Sequence, residues 1–155
     1  MDYIKYMRAM IGNKPMFLVG AGTLILNKKN QLLLMKRSDN HMWSTLGGSL
    51  NLGETFEEAA IREAYEEGNI KIRNLSLFTL ISGKEYYHVY PNGDQVYNTC
   101  AIFWTRDYEG NLEVDFDETL DLKFFDLNDL PENINPPDKI FILQFVKQFE
   151  EGRIK

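Results

Sequence analysis

Apolar positions along the chain fall into blocks whose spacing switches between a period of two and a helical period. From Met16 to Leu26 and from Gln31 to Lys36, Val, Ile and Leu crowd into two runs separated by the polar stretch Asn27 to Asn30, which predicts two strands joined as a β-hairpin. Thr55 followed three residues later by Glu58 is a capping box, so a helix opens at about Phe56 and runs to about Gly68, where Asn69 ends it. The segment from Ile70 to Ser82 reads as a strand with an imperfect alternation through Ile70, Ile72, Leu75, Leu77 and Leu80, as expected where both sheet faces are covered. Gly83 to Tyr90 and Gln95 to Arg106 flank the turn Pro91-Asn92-Gly93-Asp94, a strong hairpin signal, and Lys123-Phe124-Phe125 marks a further strand. Pro136-Pro137 opens a last amphipathic helix that would turn Ile140, Leu143, Phe145, Val146 and Phe149 to the sheet and stop at Gly152. At the other end, Ile4, Met7 and Ile11 recur at helical spacing before Gly12 and Asn13, so residues 1–13 read as a short packing helix. Strands interspersed with two substantial helices predict an α+β fold, a mixed β-sheet sandwiched between helices.

Composition narrows the class. The chain has 155 residues, 44% hydrophobic and 13% aromatic, which suits one globular domain over 1–155 with the N-terminal helix as an extension. A net charge of −6 argues against a nucleic-acid or anionic-membrane partner, since neither would be attracted at long range. The longest apolar stretch, Met16 to Leu26, is about half the ~20 residues of a membrane helix, and residues 1–13 lack the apolar core of a secretory signal. The single Cys100 cannot form an intramolecular disulfide and sits in an apolar run, so a buried structural thiol in a reducing cytoplasm is expected.

The chemistry concentrates in the central helix. Glu63, Glu66 and Glu67 stand at i, i+3 and i+4 and share a face, on which Ala59 and Ala60 would leave room for something to approach. Glu58 and Arg62 are spaced as an i, i+4 ion pair, whereas Glu63 and Glu67 have no cation at i±3 or i±4. Like charges at i, i+4 cost about 0.2–0.5 kcal/mol, and anions near a helix C-terminus oppose the macrodipole by a similar order. A bound cation is the natural compensation. Carboxylates without His or Cys are hard oxygen ligands, suited to Mg²⁺ or Mn²⁺. A solvated acidic face is the other reading of the helix on its own.

The loop before the helix decides between them. Gly48, Glu54, Arg62, Glu63, Glu66, Glu67 and Ile70 fall in register with G-x5-E-x7-R-E-U-x-E-E-x-G-U, where U is a bulky aliphatic, and in this the chain resembles the Nudix hydrolases. Ala64 and Asn69 depart from the pattern inside the signature, and Leu46 and Asn51 depart from common residues beside it. The resemblance covers roughly Met16 to Gln148 and implies an α/β/α sandwich. It also implies metal ligation by Glu63, Glu66 and Glu67 with the Gly47 carbonyl, Arg62 orienting a glutamate, and Glu54 tying loop to helix. A further glutamate before the Lys123-Phe124-Phe125 strand completes the metal site or activates water in some members; Glu118 fits best, and Glu66 or Glu118 would be the general base.

The implied reaction is metal-dependent hydrolysis of a nucleoside diphosphate linked to another group. ADP-ribose or a nucleotide sugar, a nucleoside triphosphate and a dinucleoside polyphosphate all stay open as substrate. Arg37, Trp43, Tyr86 and Tyr87 are candidate substrate contacts, with core or cross-strand packing as the alternative for the aromatics. His88 alone makes no metal site and is a minor acid/base candidate. A catalytically weak nucleotide-binding module on the same fold is the alternative function, against which the complete glutamate set argues. A homodimer is an expectation from the family alone.

Overall fold

The computed structural model of the chain describes residues 2–155. Helix α1 (Tyr3–Ile11) is capped by Asp2, whose carboxylate accepts from the Lys5 amide, and Ile4, Met7 and Ile11 form its half-buried face as their spacing predicts. Strands β1 (Met16–Ile25) and β2 (Gln31–Arg37) follow, then β3 (Trp43–Ser44) and β4 (Leu46–Ser49). Helix α2 (Phe56–Gly68) leads to β5 (Lys71–Arg73) and β6 (Ser76–Ile81). A 3₁₀ turn, Lys84–Tyr86, precedes β7 (Tyr87–Val89), β8 (Gln95–Thr105), β9 (Asp107–Glu109), β10 (Thr119–Asp126) and helix α3 (Pro136–Glu150). None of the helices among the described residues is long and apolar enough to cross a membrane.

The strands form a five-stranded mixed sheet, β4-β1-β8-β6 with β7 also paired to β8, a three-stranded sheet β10-β2-β3, and the pair β5-β9. β1 and β8 run parallel; the other pairs are antiparallel. β1 and β2 are not the expected hairpin. The Asn27 side chain closes the turn by accepting from the Lys29 and Gln31 amides, but beyond the single bridge Leu26–Leu32 the strands part into different sheets. Leu24 to Leu26 and Leu32 to Met35 are buried without alternation, so both faces of each strand need cover, and two sheets packed together supply it.

The predicted strand from Ile70 to Ser82 is broken in two. Asn74 adopts a left-handed conformation (φ 53°), a backbone state that asparagine tolerates better than most residues, and its amide donates to Asp107. β5 thereby pairs with β9 while β6 pairs with β8. The hairpin around Asn92-Gly93 forms as predicted, pairing Tyr87 with Tyr97 and His88 with Val96.

Helix α3 packs over one face of the mixed sheet through Phe141, Ile142 and Phe145, the last wedged edge-on against Phe78 at 5.3 Å and tilted against Trp104 at 6.2 Å. Leu143, expected on this face, is instead exposed, because the buried stripe through 141, 142 and 145 puts position 143 on the far side. Helix α2 packs with Ala59 and Ala60 against Ala21, Ala101 and Phe103. The room expected at these alanines is filled by the sheet itself, so their small size serves close helix–sheet approach.

The Phe145 side chain, fully buried between helix and sheet, gives a direct test of this packing. Phe145→Ala is expected to lower unfolding free energy by about 3–5 kcal/mol, read as a lower denaturant midpoint at unchanged slope.

Candidate active site

The site grows from the approach of α2 to β4. Thr55 and Glu58 make the reciprocal capping box, and Asn69 closes the helix in a left-handed conformation with its amide donating to the Tyr65 carbonyl. Glu58 is thus occupied at the cap and does not pair with Arg62 as its spacing suggested. Between these ends α2 lies so close to β4 that a Cβ on Gly68 would meet the Leu46 side chain at 2.9 Å, and a Cβ on Gly48 would enter the Glu63 carboxylate. A Cβ on Gly47 would sit 2.5 Å from the Ala21 carbonyl oxygen. Glycine at these positions is what lets helix, loop and strand share the space.

Arg62 organises the carboxylates. Its Nε and Nη2 donate to the two oxygens of Glu54 at 2.6 and 2.9 Å, its Nη1 to Glu63 at 2.9 Å and Glu66 at 3.2 Å, and its Nη2 also to the Ser49 carbonyl at 3.0 Å. Hydrogen bonding from Arg62 holds the Glu54 carboxyl below its ordinary range. Glu63 shifts the other way, since its burial outweighs the help of Arg62. Glu67 is buried and accepts from the Gly47 amide at 2.7 Å. Burial, then repulsion from Glu63 and Glu118, pushes its carboxyl well up despite that hydrogen bond.

Glu63, Glu67 and Glu118 line one cavity of about 760 Å³, together with Gly47, Gly48 and Arg37. Arg37 donates to both oxygens of Asp39 at 2.9 and 2.8 Å and lies 6.0 Å from the centre of the Tyr90 ring. Burial costs the guanidinium, but the Asp39 carboxylate outweighs that cost and keeps it charged. Glu66 does not line the cavity. Its side chain is 56% exposed and bridges to Arg62 from the solvent side. Among the described residues no three His, Cys, Asp or Glu side chains stand close enough to grip one ion as they are.

The aromatic candidates lie elsewhere. Trp43 packs edge-on against Phe125 at 4.9 Å, and Tyr86 is buried in the core beneath α3. Tyr87 stacks obliquely on Tyr97 at 5.0 Å and donates to Gln95 at 2.6 Å. None of the three lines the cavity. His88 does, with its imidazole pushed down by burial and by Arg37. Cys100 also lines it, its thiol pushed up to about 12 by burial.

Two further groups on the cavity wall had no counterpart in the sequence reading. Asp138, in the first turn of α3, accepts from the Thr45 amide and hydroxyl at 2.9 and 3.0 Å and from Asn135 at 3.3 Å, and burial pushes its carboxyl up. Asn98 donates to the Tyr86 carbonyl at 3.1 Å from within a row otherwise made of Val96, Cys100 and Ile102. A lone amide in an apolar alternation was the available signal for Asn98. Asp138 had none, since an acid in a first turn usually serves the helix alone.

The chain is similar to known proteins in sequence and in fold. The NUDIX domain model matches residues 16–145. The ADP-ribose pyrophosphatase of Methanocaldococcus jannaschii is 32% identical over 75% of this chain and 66% of its own length. The NAD-capped RNA hydrolase NudC of Vibrio parahaemolyticus is 29% identical over 68% of this chain and 38% of its own, so the chain spans about two fifths to two thirds of these curated relatives. Among solved structures, the MutT NUDIX hydrolase of Burkholderia pseudomallei superposes with a TM-score of 0.70 at 25% identity, covering 84% of this chain and 98% of that one. With the mixed sheet between α2 and α3 and a family match over all but the two ends, the chain belongs to the NUDIX domain family.

Proposed function

We propose that this protein hydrolyses the pyrophosphate linkage of a nucleoside diphosphate joined to a second group, with the help of a divalent cation, Mg²⁺ or Mn²⁺. The observation that carries this reading is the convergence of Glu63, Glu67 and Glu118 on one cavity, where Glu67 is buried and the charges of Glu63 and Glu118 oppose its own more than Arg37 relieves it. Such a cluster is electrostatically incomplete, and hard oxygen donors fit a hard divalent ion. Glu63, Glu67 and Glu118 would hold it with the Gly47 carbonyl, and Glu66 would join from beside Arg62. When bound, the ion screens substrate charge and makes water a better nucleophile.

The chain's own residues supply the rest. Arg62 is a positioning residue that fixes Glu63 and Glu66 through its tie to Glu54. Glu118, a carboxylate on the cavity wall, is suited to take the proton of the attacking water. Arg37, already charged and facing the cavity, orients substrate phosphate. The named relatives support the substrate class, since ADP-ribose and an NAD cap both carry a nucleoside diphosphate joined to another group. The cavity's volume suits a ligand of that size.

Glu67→Gln should lower kcat by about 10²–10³, the cost of losing one charged group at such a centre, in an assay of Mg²⁺-dependent product release across nucleotide substrates. If wild type and variant are equally inert across the panel while a nucleotide still binds, the binding-module reading replaces this one. Glu54→Gln touches no reacting atom in this scheme, and is expected to weaken metal dependence by about 10–100-fold through Arg62, seen as a higher Mg²⁺ concentration for half-maximal rate.

Stability should respond to pH in a definite direction. Glu63 and Glu67 have folded pKa values raised above their unfolded ones, so the folded state holds more protons in the window between. Stability is then fully present below the ordinary carboxylate range and lost as pH rises through the folded values. The melting temperature of the metal-free protein should fall across that window, less steeply in Glu67→Gln. Mg²⁺ at neutral pH should restore it in the wild type.

A further inference from the structure

Helix α1 precedes residue 16, where the match to the family model begins, yet it forms part of the cavity. Asp2, Ile4 and Arg8 line it, together with Asn92 and Asp94 from the turn before β8. No side chain of α1 is buried, and none enters the hydrophobic clusters of the core. A helix of 9 residues is too short to persist on its own propensity, so a specific contact must hold it. Arg8 supplies that contact. Its Nη1 donates to the Gly12 and Lys14 carbonyls at 3.0 and 2.7 Å, and its Nη2 donates to the Gln95 carbonyl of β8 at 2.7 Å. Asp94 stands 3.6 Å from its Nε, and Gln95 donates in return to the Asn13 carbonyl at 3.2 Å. The charge of Arg8 is thus spent on backbone and on Asp94, with little left to attract a phosphate.

The strand register sets how far this rim lies from the carboxylates. Alternate residues of β8, namely Val96, Asn98, Cys100 and Ile102, line the cavity and so share one face of the strand. Ile102 stands beside Gly22, which stands beside Gly47. Val96 stands beside Met16 at the start of β1, next to the Gln95 carbonyl that Arg8 holds. At about 3.3 Å per residue, the two rows are about 20 Å apart. A pyrophosphate at the glutamates fills only part of that length. The four β8 side chains along it are uncharged, and the rim beyond them carries two carboxylates, Asp2 and Asp94, against one cation.

We infer, on the footing of the hydrolysis proposed above, that α1 is the wall against which the substrate's second group rests, that this group is an uncharged sugar, and that Arg8 is the residue positioning the wall. Charge selects the group. Sugar hydroxyls donate to carboxylates and need no counter-charge, which is what Asp2 and Asp94 offer. A further phosphate at the rim would meet those carboxylates while the neighbouring cation is already engaged. A nucleoside triphosphate ends in charge, and a dinucleoside polyphosphate adds charge between its ends. A nucleoside diphosphate sugar carries its charge at the linkage alone, where the metal and Arg37 can answer it.

ADP-ribose and ADP differ by the terminal ribose, so together they isolate the second group. Calorimetry on the metal-free full chain should find ADP-ribose bound about 10-fold more tightly than ADP, and Arg8→Ala should remove that difference. With Mg²⁺ present, Arg8→Ala should raise the KM for ADP-ribose about 10-fold and leave kcat within about twofold, the signature of lost binding rather than lost chemistry. Ile4→Trp narrows the wall with Arg8 in place and should act in the same way, which keeps the test open if Arg8→Ala fails to fold by circular dichroism. Tyr6→Ala, on the exposed side of α1, should change neither reading. Equal affinity of the wild type for the two ligands overturns the inference, as does an Arg8→Ala loss of the same size on both or a fall in kcat at unchanged KM. A chain that hydrolyses neither ligand but keeps an affinity difference dependent on Arg8 overturns the hydrolase reading and leaves the wall standing.

Discussion

The Arg62 guanidinium is the constraint on which the candidate site depends. Arginine has five N–H donors in a planar fork, and here all five directions are used, on Glu54, Glu63, Glu66 and the Ser49 carbonyl. That saturation couples three structural levels. It ties the loop after β4 to the middle of α2, sets the spacing of carboxylates that would otherwise repel, and leaves Glu63 turned to the cavity and Glu66 to solvent. A lysine could neutralise the same charge but not make five hydrogen bonds from one planar fork.

Around that clamp the fold trades local stability for a concentrated negative field. Glu67 is buried where desolvation and neighbouring carboxylates both oppose its charge, and the Gly47 amide and the more distant Arg37 only partly answer it. Arg37, a cation on the cavity wall near Tyr90, is itself bonded to Asp39. Glycines at 47 and 48 make this possible by letting β1, β4 and α2 approach until a side chain would not fit. Closeness of backbone and crowding of charge are here the same feature.

Much of this was legible in the sequence, and for local reasons. The capping box, the left-handed Asn69 and the Asn92-Gly93 hairpin depend on residues near one another in the chain, where spacing determines geometry. What was misread depends on partners far away. The hairpin of β1 and β2 failed because two packed sheets competed for the strands, and the Glu58–Arg62 pair failed because each side chain found a better partner. The alanines of α2 pack on the sheet, and Asp138 reaches Thr45 across more than ninety residues of chain. Aromatic density around Tyr86 and Tyr87 left ligand stacking and cross-strand packing both open, and the structure sets Tyr87 obliquely on Tyr97 across the strands.

The alternation of β8 has a consequence for how such a protein can change over generations. Its even-numbered residues from Val96 to Ile102 border the cavity, and its odd-numbered ones from Tyr97 to Phe103 belong to the opposite side. Adjacent codons therefore answer to separate selective pressures. A lineage could retune what enters the cavity through 98 and 100 while 97 and 99 drift or adapt to whatever lies outside, with one strand serving as two independent registers of heritable variation.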